Sequence, residues 1–391
     1  MENQSFEFIL SARTKIGEGT ALNLSGYLKE LLLERVGIII DKNVRALPYV
    51  EKILTSIKGL SLVVWEYDIK GEPDYDSLDR VKLLFLNKKN EPLVDSFIAL
   101  GGGSVIDFAK GLATLMTNPG EARAYRGFPI GLNPSLPIIA LPTVAGSGSE
   151  VTYNASFIDW KERRKMGINT FNNFPKLSIL DPLLTLDCPK QVSISSAMDS
   201  MVHALESYAT PKANALSRLF SERAFLYVYH ALPKVEKNLR DTNARLDLQL
   251  GAYLAGIAIV QAGGGIASIL SYTLGVHGKI PHGLAGAVFI PYIVEHNAKK
   301  GFDYSSLYDS LEKRTAKLSR KQKSLAFAKK LFALYNTMKI PTLFSKFALN
   351  EEQKNTILSE IKTLGNGFKI TNPVPFSPDD AKKITLKIFN A

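Results

Sequence analysis

Four short apolar runs in the first half of the chain, with almost none after residue 190, constrain the fold more than any other feature. "RVGIIID" (35–41), "LSLVVWEY" (60–67), "SFIALGG" (96–102) and "LPIIALPT" (136–143) are each bounded by turn residues. That is the length and composition of strands buried on both faces. Between them, 74–90 ("DYDSLDRVKLLFLNKKN") and 104–118 ("SVIDFAKGLATLMTN") carry helical spacing. Strand–helix alternation of this kind predicts a parallel α/β sheet. "VTYNASFIDWKERRKMGIN" (151–169) reads as a β-hairpin with a charged turn.

The character changes near "DPLLTLDCPK" (181–190). Beyond it the apolar residues recur at helical spacing in segment after segment, with Ser193 and Ser195 expected to cap the first helix. The expectation is an α/β domain over 1–188 followed by an all-helical domain over 189–391. A chain of 391 residues fits two domains. With 46% hydrophobic residues it has ample material for two cores. The single cysteine, Cys188, excludes an internal disulfide and a cysteine-based zinc cluster. "MENQSFEFILSARTK" has an early Glu and no long apolar core, so no signal peptide is read there. No run approaches the roughly 18 apolar residues of a membrane span. A soluble cytoplasmic protein is expected.

The net charge of +11 raises the question of a nucleic-acid or membrane-surface partner. The basic residues are scattered, with "KERRK" (161–165) and "KLSRKQK" (317–323) the densest clusters and no aromatic interleaving. They read as solvated surface, so neither nucleic acid nor membrane is an expected partner.

Two loops carry the pattern of a nucleotide site. "ALGGGSVIDFAKG" (99–111) is strand, three glycines, then helix. Gly101, Gly102 and Gly103 permit close approach of a phosphate, and Ser104 and Val105 place amides at a helix N-terminus, where the dipole favours an anion. "ALPTVAGSGSEVT" (140–152) follows another buried strand; its Thr143, Ser147 and Ser149 offer hydroxyls and backbone. Loops at strand C-terminal ends are where open α/β sheets bind ligands. Asp41 ends the first strand, where an acid accepts hydrogen bonds from ribose hydroxyls and repels a 2′-phosphate. A turn Asp would read the same way. In "AMDSMVHALE", Asp199 and His203 stand at i and i+4, on one helix face. That pair suits either a divalent metal or a surface Asp–His hydrogen bond. "GGGIASILSYTLGVHGKIPHG" (263–283) ends in a Pro-His-Gly that presents His282.

In this order and spacing, the GGGSxxD loop with its Asp107, the PTxAGSGSE loop, the DxxxH helix and the PHG turn resemble the iron-dependent (group III) alcohol dehydrogenase family. The resemblance covers nearly the whole chain. It implies a Rossmann-like parallel-sheet domain, then an all-α metal and substrate domain, the architecture shared with dehydroquinate synthase. It further implies NAD(P) in a cleft and a divalent metal, iron or zinc, held by one Asp and three His. Asp41 matches the acid associated with NAD preference over NADP. Gly101 to Ser104 match the pyrophosphate loop, and Thr143, Ser147 and Ser149 the second cofactor loop. Asp199, His203 and His282 match three metal ligands.

The remaining ligand of the family lies fourteen residues before the PHG histidine, which here is Ser268. A second family histidine, close to the nicotinamide, lies ten residues before, at Tyr272. A neutral hydroxyl is a poor ligand for a transition metal. Three alternatives stay open: a metal on three protein ligands plus water, recruitment of the additional His277, or no metal, as in the family's maleylacetate reductase branch. Weak or absent metal binding is expected. His203, Tyr272 and His277 are candidate donors or general acids. Arg123 and Arg126, in "EARAYRGF" (121–128), and Lys279 are candidate anchors for an anionic substrate such as a carboxylate, phosphate or phosphonate. The expected activity is NAD(P)-dependent interconversion of an alcohol and an aldehyde or ketone by a homodimer. A lyase or cyclase using NAD transiently, and an inactive nucleotide-binding homologue, are the rival readings.

Overall fold

The structure is a computed structural model, and it describes residues 5–10, 12–69, 71–313 and 316–390. The absence of a signal peptide was read in part from residues 1–4, which lie outside the described residues. Contacts group the chain into two compact units. One comprises Leu10–Cys188 with Leu239–Gln249; the other comprises Met1–Ile9, Pro189–Asn238 and Leu250–Ala391.

The first unit is built on a parallel sheet. Its strands are β1 (Arg13–Ile16), β2 (Arg35–Asp41), β3 (Ser61–Tyr67), β4 (Ser96–Gly101), β5 (Ile138–Pro142) and β8 (Leu177–Leu180), in the spatial order β1-β8-β5-β4-β2-β3. All pairings are parallel, with Ile38 opposite Ile98 and Ile98 opposite Ile139 at the centre. A separate antiparallel pair, β6 (Ser156–Asp159) and β7 (Arg164–Gly167), is the expected hairpin.

Alternation along the strands sends side chains to opposite faces. Ile39, Phe97, Ala99 and Ala140 pack with Val105, Phe108 and Leu112 of the helix Gly103–Thr117. Ile38, Ile40, Ile98, Leu100 and Leu141 pack with Leu24, Leu28, Val50 and Ile53 on the other side. Burial on both faces is why these strands are nearly continuous apolar runs. The four strands read from sequence are present. β1 and β8 are additional, each four residues long. β1 is an edge strand with no fully buried residue, so it carries no strand-like signature. β8 is buried throughout but too short for its period to show.

From β2 the chain moves outward to β3 and then returns to the other side of β2 as β4. That reversal makes the C-terminal ends of β2 and β4, at Asp41 and Gly101, the switch point at which doubly wound sheets bind ligands.

The second unit is helical. Its helices include Lys190–Ala209, Ala215–Lys237, the part of Thr242–Ala262 from Leu250 on, Ile266–Gly278, the short His282–Ala287, Ile290–Lys299, Arg320–Thr337, Glu351–Ile361 and Pro378–Phe389. Ser193 and Ser195 do not cap the first of these. The helix begins at Lys190 after Pro189, and the amide of Ser193 already donates to the Pro189 carbonyl, so both serines are internal. Among the described residues, no single helix is long and apolar enough to cross a membrane.

Candidate active site

The glycine loop follows β4 directly. The helix starts at Gly103, with Gly102 at its N-cap. Gly103 and Ser104 therefore carry the first helical amides, which have no intrahelical acceptor. The amide of Val105, expected to join them, instead donates to the Gly102 carbonyl at 3.0 Å. A Cβ on Gly101 would lie 2.5 Å from the Val105 side chain, and one on Gly103 would lie 2.4 Å from the Ser147 hydroxyl. The two loops thus meet with no room for a side chain, and the Thr143 amide donates to the Gly101 carbonyl at 3.0 Å. Asp41 stands at the end of β2, where its Oδ1 accepts from the Asn43 amide at 2.8 Å and the Asn43 side chain at 2.9 Å. It is the cap of the next short helix as well as the strand-end acid.

Asp107, the acid of the GGGSxxD loop, and Ser149, of the second loop, are tied to each other and to Lys110. The Ser149 hydroxyl donates to Asp107 and accepts from Lys110 at 2.8 Å. Asp107 also accepts from the Ser156 amide at 2.9 Å. Both side chains brace the second loop from beneath. Lys110, fully buried, further donates to Thr152 and to the Asn154 carbonyl. Burial brings the Lys110 ammonium down to about 8, against the pull of Asp107 and Glu150. Burial likewise raises Asp107, opposed chiefly by Lys110, and pushes Glu150 up to about 7. Lys110 and Glu150 were not singled out from sequence. A lysine inside the apolar stripe of a helix, at Lys110, was the available signal.

The helical unit assembles the metal candidates. Asp199 and His203 project from one face of Lys190–Ala209, and both are buried. His282 opens the helix after Pro281. Gly283 explains the third letter of the PHG turn: a Cβ there would lie 2.3 Å from the Ser195 carbonyl oxygen. Only a glycine lets the turn approach the long helix this closely. His203 Nε2 lies 3.7 Å and His282 Nε2 3.9 Å from Asp199 Oδ1. One donor atom from each residue lies within 4.8 Å of the other two, the one such trio of potential ligands among the described residues. Ligand bonds of about 2.1 Å in a tetrahedron set donors about 3.4 Å apart, so the trio is close to a coordinating arrangement. These residues fit a divalent metal.

Ser268 does not face this trio as a ligand. Its hydroxyl donates to Glu206 Oε2 at 2.5 Å and its amide to Oε1 at 3.0 Å. Glu206 is buried, which raises its carboxyl, while the Ser268 bonds oppose the rise. Gly264 and Gly265 pack against the same carboxylate. Glu206, three residues beyond His203, was not read as a site residue from sequence. His277 is not with the trio either. Its Nε2 pairs with Glu360 at 2.5 Å and its carbonyl accepts from Gln353, so recruitment as a ligand would break that pair. Tyr272 does adjoin the trio: its ring stacks on His282 at 5.4 Å with planes 18° apart.

Arg123 and Arg126 are engaged within their own unit. Each lies 3.0 Å from the fully buried Asp159; Arg123 also meets Asp76, and Arg126 also meets Glu162. Their charges clamp the 122–126 turn to the hairpin, and Asp159 supplies the counter-charge that sequence reading did not see. Lys279 is exposed, in left-handed conformation at the end of Ile266–Gly278.

Comparison with known proteins is consistent along the chain. Residues 11–182 match the family described as iron-containing alcohol dehydrogenase, and residues 193–389 match the C-terminal part of the Fe-containing alcohol dehydrogenase family. The chain is 33% identical over 242 residues to the probable alcohol dehydrogenase EutG of Escherichia coli, spanning 62% of this chain and 60% of that one. It is 27% identical over 379 residues to alcohol dehydrogenase 4 of Saccharomyces cerevisiae, spanning 95% and 96%. The solved alcohol dehydrogenase from Oenococcus oeni superposes with a TM-score of 0.88 at 26% identity, covering 98% of this chain and 100% of that one.

Proposed function

Because the chain belongs to the iron-containing alcohol dehydrogenase family, we propose that it interconverts an alcohol and its aldehyde or ketone with NAD(H). The observation that carries this reading is the gathering of Asp199, His203 and His282, from two separate helices, into one ligand trio. When bound, the nicotinamide supplies or accepts the hydride, and a divalent metal on the trio polarises the carbonyl oxygen. Three protein ligands with an open position is the coordination of a catalytic site.

The chain's own residues bind and orient. The amides of Gly103 and Ser104 and the helix dipole behind them favour the cofactor pyrophosphate. Asp41 accepts from ribose hydroxyls and disfavours a 2′-phosphate, which supports NAD over NADP. Lys110, Asp107 and Ser149 hold the second loop in place. Tyr272, stacked on His282, is the proposed donor to the developing alkoxide. His277 gets no support for this role, because Glu360 holds it.

A negative charge on the substrate is the narrower proposal, and it now rests on Lys279 alone. Arg123 and Arg126 lend it no support, since acidic partners already match them.

A panel of neutral and anionic aldehydes and ketones, with NADH or NADPH, tests the reading. Net oxidation of NADH in preference to NADPH is expected, and Asp41→Gly should narrow that preference about tenfold, the value of one lost charge-assisted bond. Product formed without net NADH oxidation would instead indicate transient use of NAD, and binding without turnover an inactive homologue. If Lys279→Ala lowers turnover of neutral and anionic substrates equally, the anionic-substrate proposal fails while the oxidoreductase reading stands.

A further inference from the structure

We propose that Ser271 is a positioning residue that fixes His282 in the tautomer with its proton on Nδ1, leaving Nε2 bare to bind a metal. The proposal takes its purpose from the metal-centre reading above, but its geometry stands independently. The Ser271 hydroxyl lies 2.7 Å from the Ser268 carbonyl oxygen and 3.0 Å from His282 Nδ1. Two oxygens at 2.7 Å need a proton between them, and a carbonyl has none. The single hydroxyl proton of Ser271 is therefore directed to Ser268. Toward His282 the hydroxyl has only lone pairs to offer, so Nδ1–H must donate. A neutral imidazole with its proton on Nδ1 has its lone pair on Nε2.

The constraint opposes a local preference. His282 Nε2 faces Asp199 Oδ1 at 3.9 Å, and a carboxylate attracts an N–H. Without Ser271, the proton would be drawn to Nε2, where it would block coordination. Ser271 is fully buried, so water does not readily replace its oxygen. Its own acceptor is held in turn, because Ser268 is pinned to Glu206 through both amide and hydroxyl. The position that lacks the expected ligand thus anchors a chain, Glu206 to Ser268 to Ser271 to His282, that prepares a remaining one. Outer partners of this kind orient metal-bound histidines and set which nitrogen binds.

The test uses the full chain stripped of metal with EDTA and labelled with 15N in its five histidines. Long-range 1H–15N correlation at pH 8 reports each tautomer, and His282→Gln identifies the signal. The expected result is a protonated Nδ1 at His282, lost in Ser271→Ala and kept in Ser271→Thr. Zn2+ titration against a competing chelator should show affinity falling about 10- to 100-fold in Ser271→Ala and recovering in Ser271→Thr. A wild-type His282 protonated on Nε2 overturns the proposal without any variant. So does Ser271→Ala with unchanged tautomer and unchanged Zn2+ affinity. If the wild-type protein binds no Zn2+, the metal-centre reading fails, and the tautomer signal alone decides the role of Ser271.

Discussion

At the scale of single residues, Ser268, which stands where the family resemblance leads one to expect a histidine ligand, has specific local consequences. The Ser268 hydroxyl donates to Glu206, and the bond is short and buried. Ser268→His should raise metal affinity, because imidazole outranks a hydroxyl as a ligand. It should also cost about 1–3 kcal/mol of stability, because a buried carboxyl loses the hydroxyl that donates to it and keeps only backbone amides. Chelator competition and urea denaturation read the two effects separately; unchanged affinity would mean that the pocket cannot seat a fourth ligand. Glu150 gives a pH signature. Its folded-state value near 7 lies above that of an exposed carboxyl, so the folded state holds the proton more tightly. Its contribution to stability is then fully present in acid and is lost as pH rises from about 4.5 to about 7, at up to about 1.4 kcal/mol per pH unit. Lys110, near 8, stays charged across that window. Glu150→Gln should flatten this part of the stability profile, and urea midpoints at pH 5 and pH 7 that shift identically in both proteins would refute it. The sequence displayed Asp199 and His203 because they stand at i and i+4 on one helix, and His282 because a Pro-His-Gly turn presents it. It hid Asp159 and Glu206 as partners, because their contacts with Arg123, Arg126 and Ser268 are made by folding and not by spacing.

At the scale of elements, close approach decides where the site is rigid. The turn at His282 sits against the helix Lys190–Ala209, with the Ser195 carbonyl oxygen in the space that a Cβ on Gly283 would need. Gly283→Ala should push the turn away, separate His282 from Asp199, and destabilise the helical unit by about 1–3 kcal/mol. Thermal melting and retained metal after dialysis should fall together. A variant that melts like the wild type with full metal retention would show that the turn yields easily. β2, β4 and β5 were legible from their composition because both of their faces are buried, and β3, at the sheet edge opposite β1, from its β-branched and aromatic residues. β1 and β8 were not, since four residues give no measurable period and β1 lies at the sheet edge. The cap of the first long helix lies at Pro189, four to six residues before the two serines expected to cap it, because internal serines on a helix resemble caps.

At the scale of the whole molecule, a parallel-sheet unit with two loops suited to a nucleotide and a helical unit with a ligand trio make up an NAD-dependent alcohol dehydrogenase of the iron-containing family. The scattered positive charge plays no part in that assignment: the two arginines that looked like a substrate anchor are matched by Asp76, Asp159 and Glu162. Their loss as anchors moves the question of substrate charge to Lys279 and leaves the hydride step as the central claim. That claim is tested most directly by supplying NADH carrying deuterium at the transferable C4 position, together with an aldehyde that supports turnover, and weighing the alcohol formed. The account requires one deuterium on the carbinol carbon for each NADH oxidised. Alcohol free of deuterium, or product formed with no net oxidation of NADH, would contradict it.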